Sequence, residues 1–196
     1  MSIDKLLHKA LSKVQTKTLG LNPTITYRLA NILLFALGIC ALTAAAKVNI
    51  PVKPVPINLQ TVVVMLIGLY YSPKMAFATV CSYLALGFGF GMPVFTGVVT
   101  GVAKLVGPAA GYLVGFPIAT YYIAKLNYNS ENSNNVYYVA VSLAVGTCVI
   151  YGLGVLWLAY LLSSMQQAFV LGVVPFILPG ILKISLLSLA VKYIKN

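Results

Sequence analysis

Residues 83–116, YLALGFGFGMPVFTGVVTGVAKLVGPAAGYLVGF, fit neither a plain membrane helix nor a soluble loop, and they constrain the fold more than any other part of the chain. Eight of the sixteen glycines lie here. A helix-like run enters through Leu84, Ala85 and Leu86, and the chain loosens at Gly87, Gly89, Gly91 and Pro93. Gly107 and Pro108 then begin a second helix carrying Gly111 and Gly115 at four-residue spacing. The segment between, with Thr96, Thr100 and Lys104, is too short and too polar for the roughly 20 apolar residues of a bilayer crossing. Irregular backbone at membrane depth is tolerated only where protein buries it or where it lines a cavity. The stretch therefore predicts a pocket.

Membrane depth is the right frame because 60% of the residues are hydrophobic and only 8% are charged, against roughly 25% charged in soluble domains. The chain reads as an all-α integral membrane protein with six transmembrane helices, at about 28–46, 59–71, 75–90, 108–124, 136–162 and 169–193, and irregular outer loops after the first and third. Residues 27–196 form one membrane domain. Residues 1–26 form a basic amphipathic leader, with Ile3, Leu6, Leu7, Ala10, Leu11 and Val14 at helical spacing among Lys5, Lys9, Lys13 and Lys17. The leader is polar and basic, so no cleavable signal peptide is expected.

The net charge of +11 does not imply nucleic acid, since the lysines are scattered at segment ends without interleaved aromatics. They read as topogenic. Six spans place nine basic residues on one side (Lys5, Lys9, Lys13, Lys17, Arg28, Lys74, Lys125, Lys192 and Lys195) and Lys47, Lys53 and Lys104 on the other. The positive-inside bias puts both termini in the cytoplasm. Cys40, Cys81 and Cys148 form no CxxC and read as packed small hydrophobes.

Three further features bear on function. Prolines at 51, 54 and 56 stiffen residues 47–61, which deliver the amides of Asn58 and Gln60 to a membrane entry; polar residues are also common at helix starts. Ala36, Cys40 and Ala44 line one face of the first span and Ala41 and Ala45 the adjacent one, a pattern that serves a close helix partner or ordinary packing. Lys183 falls near the middle of the sixth span, where a lysine costs about 2.5–3.5 kcal/mol. Pro175, Pro179 and Gly180 just before it predict a broken helix, the way many transporters free backbone for a ligand. The alternative is a lysine that snorkels to an interface.

The strings PVPINLQT (54–61), YLALG (83–87), GMPVF (91–95) and GPAAGYLVG (107–115), with Pro175, Phe176, Pro179, Gly180 and Lys183, together resemble BioY, the biotin-specific substrate-binding (S) component of energy-coupling factor (ECF) transporters. The resemblance covers roughly residues 28–192. It implies an S-component fold and an outward-facing biotin pocket drawing on Asn58, Gln60, Tyr83, Phe95, Gly107, Gly111, Tyr112, Gly180 and Lys183. Ala41 and Ala45 or their neighbours would dock on a transmembrane coupling protein driven by two ATPases. Biotin would be a transported ligand, and no cofactor is implied. Where the family usually carries an aspartate three residues before the lysine, this chain has Gly180; it has Ala109 and Ala110 in place of Thr-Gly, and Asn58 at a common threonine position.

Asp4 and Glu131 are the only acids and His8 the only histidine, which leaves no intramembrane proton relay, catalytic triad or metal cluster. The run GVVTGVAK (97–104) lacks the GK[ST] ending of a phosphate loop, so the chain does not energise transport itself. Besides a powered biotin carrier, the sequence admits a solitary vitamin facilitator and a structural or assembly membrane protein whose glycines only pack helices.

Overall fold

The computed structural model describes residues 23–50, 53–97, 101–128 and 130–195. The expected leader lies almost wholly outside them. Helix α1, Pro23–Lys47, opens on a proline, whose fixed φ suits a first helical turn and whose missing N–H would have had no partner there. It leads to strands β1 (Asn49–Ile50) and β2 (Ile57–Asn58), which pair antiparallel in the register Asn49 to Asn58 and Ile50 to Ile57. The proline-rich segment is thus a short hairpin. Helices α2 (Gln60–Tyr70) and α3 (Pro73–Phe88) follow, then a 3-10 turn at Gly101–Val106, α4 (Ala110–Asn127), a second 3-10 turn at Glu131–Asn134, α5 (Val136–Leu162), α6 (Met165–Gly172) and α7 (Val174–Lys195).

Helices α4 and α5 run antiparallel and pack closely. A Cβ on Gly115 would sit 3.0 Å from the Ile150 Cα, and one on Gly111 would meet the Leu153 carbonyl and Trp157 Cβ at 2.5 Å. Four-residue glycine spacing therefore serves this contact. The main core joins Leu42, Val64, Val80, Tyr83, Phe95, Leu113, Phe116 and Phe176 from α1 to α4 and α7. Leu29, Ile32, Leu33 and Leu37 on α1, and Leu178, Ile181, Leu182 and Leu186 on α7, point outward. An exterior this apolar suits hydrocarbon.

Tyr27–Lys47, Val136–Leu162 and Val174–Tyr193 are long and apolar enough to cross a membrane; the shorter apolar helix α2 has 11 residues. Several boundaries differ from expectation. The expected fourth span starts at Ala110, not Pro108, since Gly107 and Pro108 belong to the turn before it, and it runs on to Asn127. The expected sixth span is two helices. Their junction is Val173, with φ −120° and ψ −51°, and α7 passes unbroken through Pro179. Pro175 sits in the first turn of α7, where no backbone N–H is needed, so only one helical bond is lost to Pro179. Cys40 and Cys148 are exposed on outward faces rather than packed. Ala45 is buried and Ala41 half-buried, so the small residues open to a partner on α1 are Ala36, Cys40 and Ala44.

Candidate ligand-binding site

Where the hairpin, residues 93–96, the first 3-10 turn and α7 converge, their side chains line a pocket that is partly open to solvent. Val55, Leu113, Ile150 and the rings of Phe95, Tyr112, Phe116, Tyr151 and Phe176 supply the apolar wall. Asn58, Gln60, Thr61, Thr96, Lys104 and Lys183 supply the polar one.

The polar wall is a connected network. Asn58 ends β2, and its Oδ1 accepts the backbone N–H of Gln60, the first residue of α2, at 3.1 Å. Asn58 Nδ2 donates to Gln60 Oε1 at 2.7 Å and to Thr96 Oγ1 at 3.3 Å. Gln60 is 2% exposed and its Nε2 donates to the Tyr83 hydroxyl at 2.6 Å. Tyr83 in turn donates to the Val94 carbonyl at 2.9 Å. Buried amides are costly unless bonded, so these links fix the rotamers of Asn58 and Gln60 before any ligand arrives.

Lys183 joins α7 to this network: its Nζ donates to Thr61 Oγ1 at 2.7 Å and to the Asn58 carbonyl at 3.1 Å. The ammonium turns inward and does not snorkel to the exterior. Lys104, in the 3-10 turn, donates to the Thr96 carbonyl at 2.6 Å. Its pKa is lowered, first by burial and then by the charge of Lys47. Lys47 closes α1 and donates to the carbonyls of Pro93, at 2.6 Å, and Phe95, at 3.0 Å. Thr96 Oγ1 donates to the Ala46 carbonyl at 2.8 Å, so residues 93–96 are fastened to three other elements.

Glu131 lies in the turn after α4 and Lys104 in the turn before it, and 18 helical residues separate them by about 27 Å. No carboxylate among the described residues therefore reaches Lys104 or Lys183. An ammonium offers three N–H donors, which among the described residues leaves two unused on Lys104 and one on Lys183. The two stand on either side of the Asn58–Thr96 hydrogen bond. Such a pocket suits a molecule with an apolar body and hydrogen-bond acceptor groups.

Of the residues singled out in the sequence, Asn58, Gln60, Phe95, Tyr112 and Lys183 come together around the pocket. Tyr83 lies one hydrogen bond behind it. The Tyr112 ring faces the cavity while its hydroxyl donates away from it, to the Gly172 carbonyl at 2.8 Å. Gly111 packs on α5, and the Gly107 carbonyl accepts the Trp157 indole N–H at 2.9 Å; neither lines the space. Gly180 lies beside it, under the Tyr151 hydroxyl. Sequence reasoning missed Tyr151, Thr61 and Ile150, took Thr96 only as a loop residue, and counted Lys104 only among three outer-face lysines suited to an anionic small molecule. For Lys104, a lone lysine in a glycine-rich loop at membrane depth was the available signal.

Fold and site define a membrane helical bundle built around one polar, lysine-bearing pocket. The model of the BioY family matches residues 14–196. A protein of Pyrococcus horikoshii described as "Probable biotin transporter BioY" is 39% identical over 150 residues, 76% of this chain and 86% of that one. A Rickettsia prowazekii protein of the same description is 32% identical over 189 residues, 92% and 93% of the two chains. The crystal structure of an S-component for biotin from an ECF-type ABC transporter superposes with a TM-score of 0.71 and 25% identity, over 86% of this chain and 92% of that one. The chain belongs to the BioY family.

Proposed function

We propose that this chain is a biotin carrier, the substrate-binding component of an ECF-type transporter, and not an enzyme. The observation that carries the reading is the pocket itself: two lysines with no carboxylate in reach among the described residues, set in an aromatic cavity. Biotin has an apolar thiophane ring and alkyl chain, with a carboxylate at the end of the chain and a cyclic urea fused to the ring at the other end. In this reading the carboxylate takes the free N–H groups of Lys104, and the urea oxygen takes that of Lys183. The family and the likeness to the biotin S-component support the same ligand.

Six membrane crossings follow if α2, α3 and α4 also span, with α6 and α7 together forming the last. The lysine distribution then places both termini in the cytoplasm and the pocket at the outer face. Residues 27–196 act as one domain and residues 1–26 as a surface leader. A coupling protein and two ATPases would reorient the carrier, docking against the small outward residues of α1.

Purified chain titrated with labelled biotin should show saturable binding, and absence of saturation would sink the proposal. Co-purification with a coupling protein and ATPases is expected for the powered carrier; uptake in cells lacking them would point to a solitary facilitator.

A further inference from the structure

Phe176, Gly180 and Lys183 fall at i, i+4 and i+7 on α7 and so form one stripe of that helix. Tyr151, reaching across from α5, lies on the stripe. Its hydroxyl donates to the Phe176 carbonyl at 3.2 Å, its ring centroid is 6.0 Å from that of Phe176, and a Cβ on residue 180 would come within 3.2 Å of its oxygen. That is tighter than ordinary van der Waals contact. The absence of a side chain at Gly180 is what gives the hydroxyl this seat, one helical turn from Lys183.

A tyrosine hydroxyl has one proton and two lone pairs. With the proton directed at Phe176, the oxygen presents itself as an acceptor. The other side-chain acceptors around the pocket each already take one hydrogen bond, Asn58 Oδ1 from the Gln60 N–H, Gln60 Oε1 and Thr96 Oγ1 from Asn58, and Thr61 Oγ1 from Lys183, whereas the Tyr151 oxygen takes none among the described residues. Among the described residues no carboxylate lines the pocket to receive ligand N–H groups.

We infer that Tyr151, seated on Gly180, is the specificity-determining residue that accepts an N–H from the ligand's polar ring, beside the donor of Lys183. The inference rests on the biotin reading, in which that ring is the cyclic urea. Donor and acceptor side by side match the C=O and N–H of a urea and give the pocket a means of rejecting rings without an N–H.

Equilibrium binding of labelled biotin by the purified full chain is the test, with biotin methylated on either ring nitrogen as competitor. Tyr151→Phe should weaken biotin about tenfold and leave at least one methylated compound unchanged. Gly180→Ala should weaken biotin about threefold with Tyr151 present and have no effect in the Tyr151→Phe background. Equal losses for biotin and both methylated compounds, or the same Gly180→Ala loss in both backgrounds, would mark Tyr151 as structural and overturn the inference. Unchanged biotin affinity in Tyr151→Phe would overturn it too. If wild-type protein binds no biotin, the functional reading has failed; if it binds and only these variants behave otherwise, the role of the hydroxyl alone has failed.

Discussion

The two ends of the bundle are held together by different physics. At the end away from the pocket, Ile123 wedges between α2 and α5: a Cβ on Gly68 would lie 2.7 Å from it, and one on Gly146 would overlap its side chain. Met65, Leu69, Val139, Leu143 and Val191 complete that cluster. Asn127 joins α4 to α5 there, donating to Ser142 Oγ at 2.7 Å. At the pocket end the links between distant segments are directional: Lys183 to Asn58 and Thr61, Lys47 to residues 93 and 95, and Thr96 to Ala46. Close packing permits no change of volume, whereas hydrogen bonds can exchange partners with a ligand or water. Rigidity at one end and exchangeable polar contacts at the other are what a binding protein needs.

Lys183→Ala attacks the polar end where it is most connected. Losing a charge-assisted bond of about 1.5–3 kcal/mol should weaken biotin binding roughly 10- to 100-fold by titration. Gly146→Val attacks the packed end. Forcing Ile123 aside should cost about 1–3 kcal/mol of stability, seen as a lower Tm, while affinity per folded molecule stays unchanged. A fall in both for either variant would erase the distinction between the ends.

Gln60→Leu tests the network more gently. Asn58 and Tyr83 each lose a partner, and binding should weaken by about 1 kcal/mol, since both retain other bonds. The smallest effect concerns pH. Burial and Lys47 lower the Lys104 pKa, so the free protein loses this positive charge at a lower pH than an ordinary lysine at about 10.4. An anion favours the protonated form. Affinity for biotin should therefore fall as pH rises through that lowered pKa, and Lys104→Gln should flatten this part of the profile.

Much of the membrane end of this picture was legible in the sequence, because hydropathy and glycine spacing act locally. The membrane class and the helix order follow from apolar runs, and Lys183 stood out as a cation where it is expensive; that Asn58, Gln60 and Lys183 share one pocket was what the family resemblance implied. Tyr151 was not legible: it lies inside a long apolar span, and its meaning depends on a glycine 29 positions away on another helix. Pro179 misled for a related reason. A proline removes one helical bond, but packing decides whether the helix yields there, and here the break falls at Val173. Gly111 was taken as pocket wall when its missing side chain serves the approach of α5. Spacing reveals that a face is small without showing what fills it.

The position of bound biotin is the most direct test of this reading. An experimental structure of the purified chain with biotin should show the molecule between Lys104 and Lys183, its carboxylate within hydrogen-bonding reach of Lys104 and its urea ring beside Lys183 and Tyr151. Biotin held elsewhere, or a pocket still filled by its own side chains while biotin is bound, would contradict it.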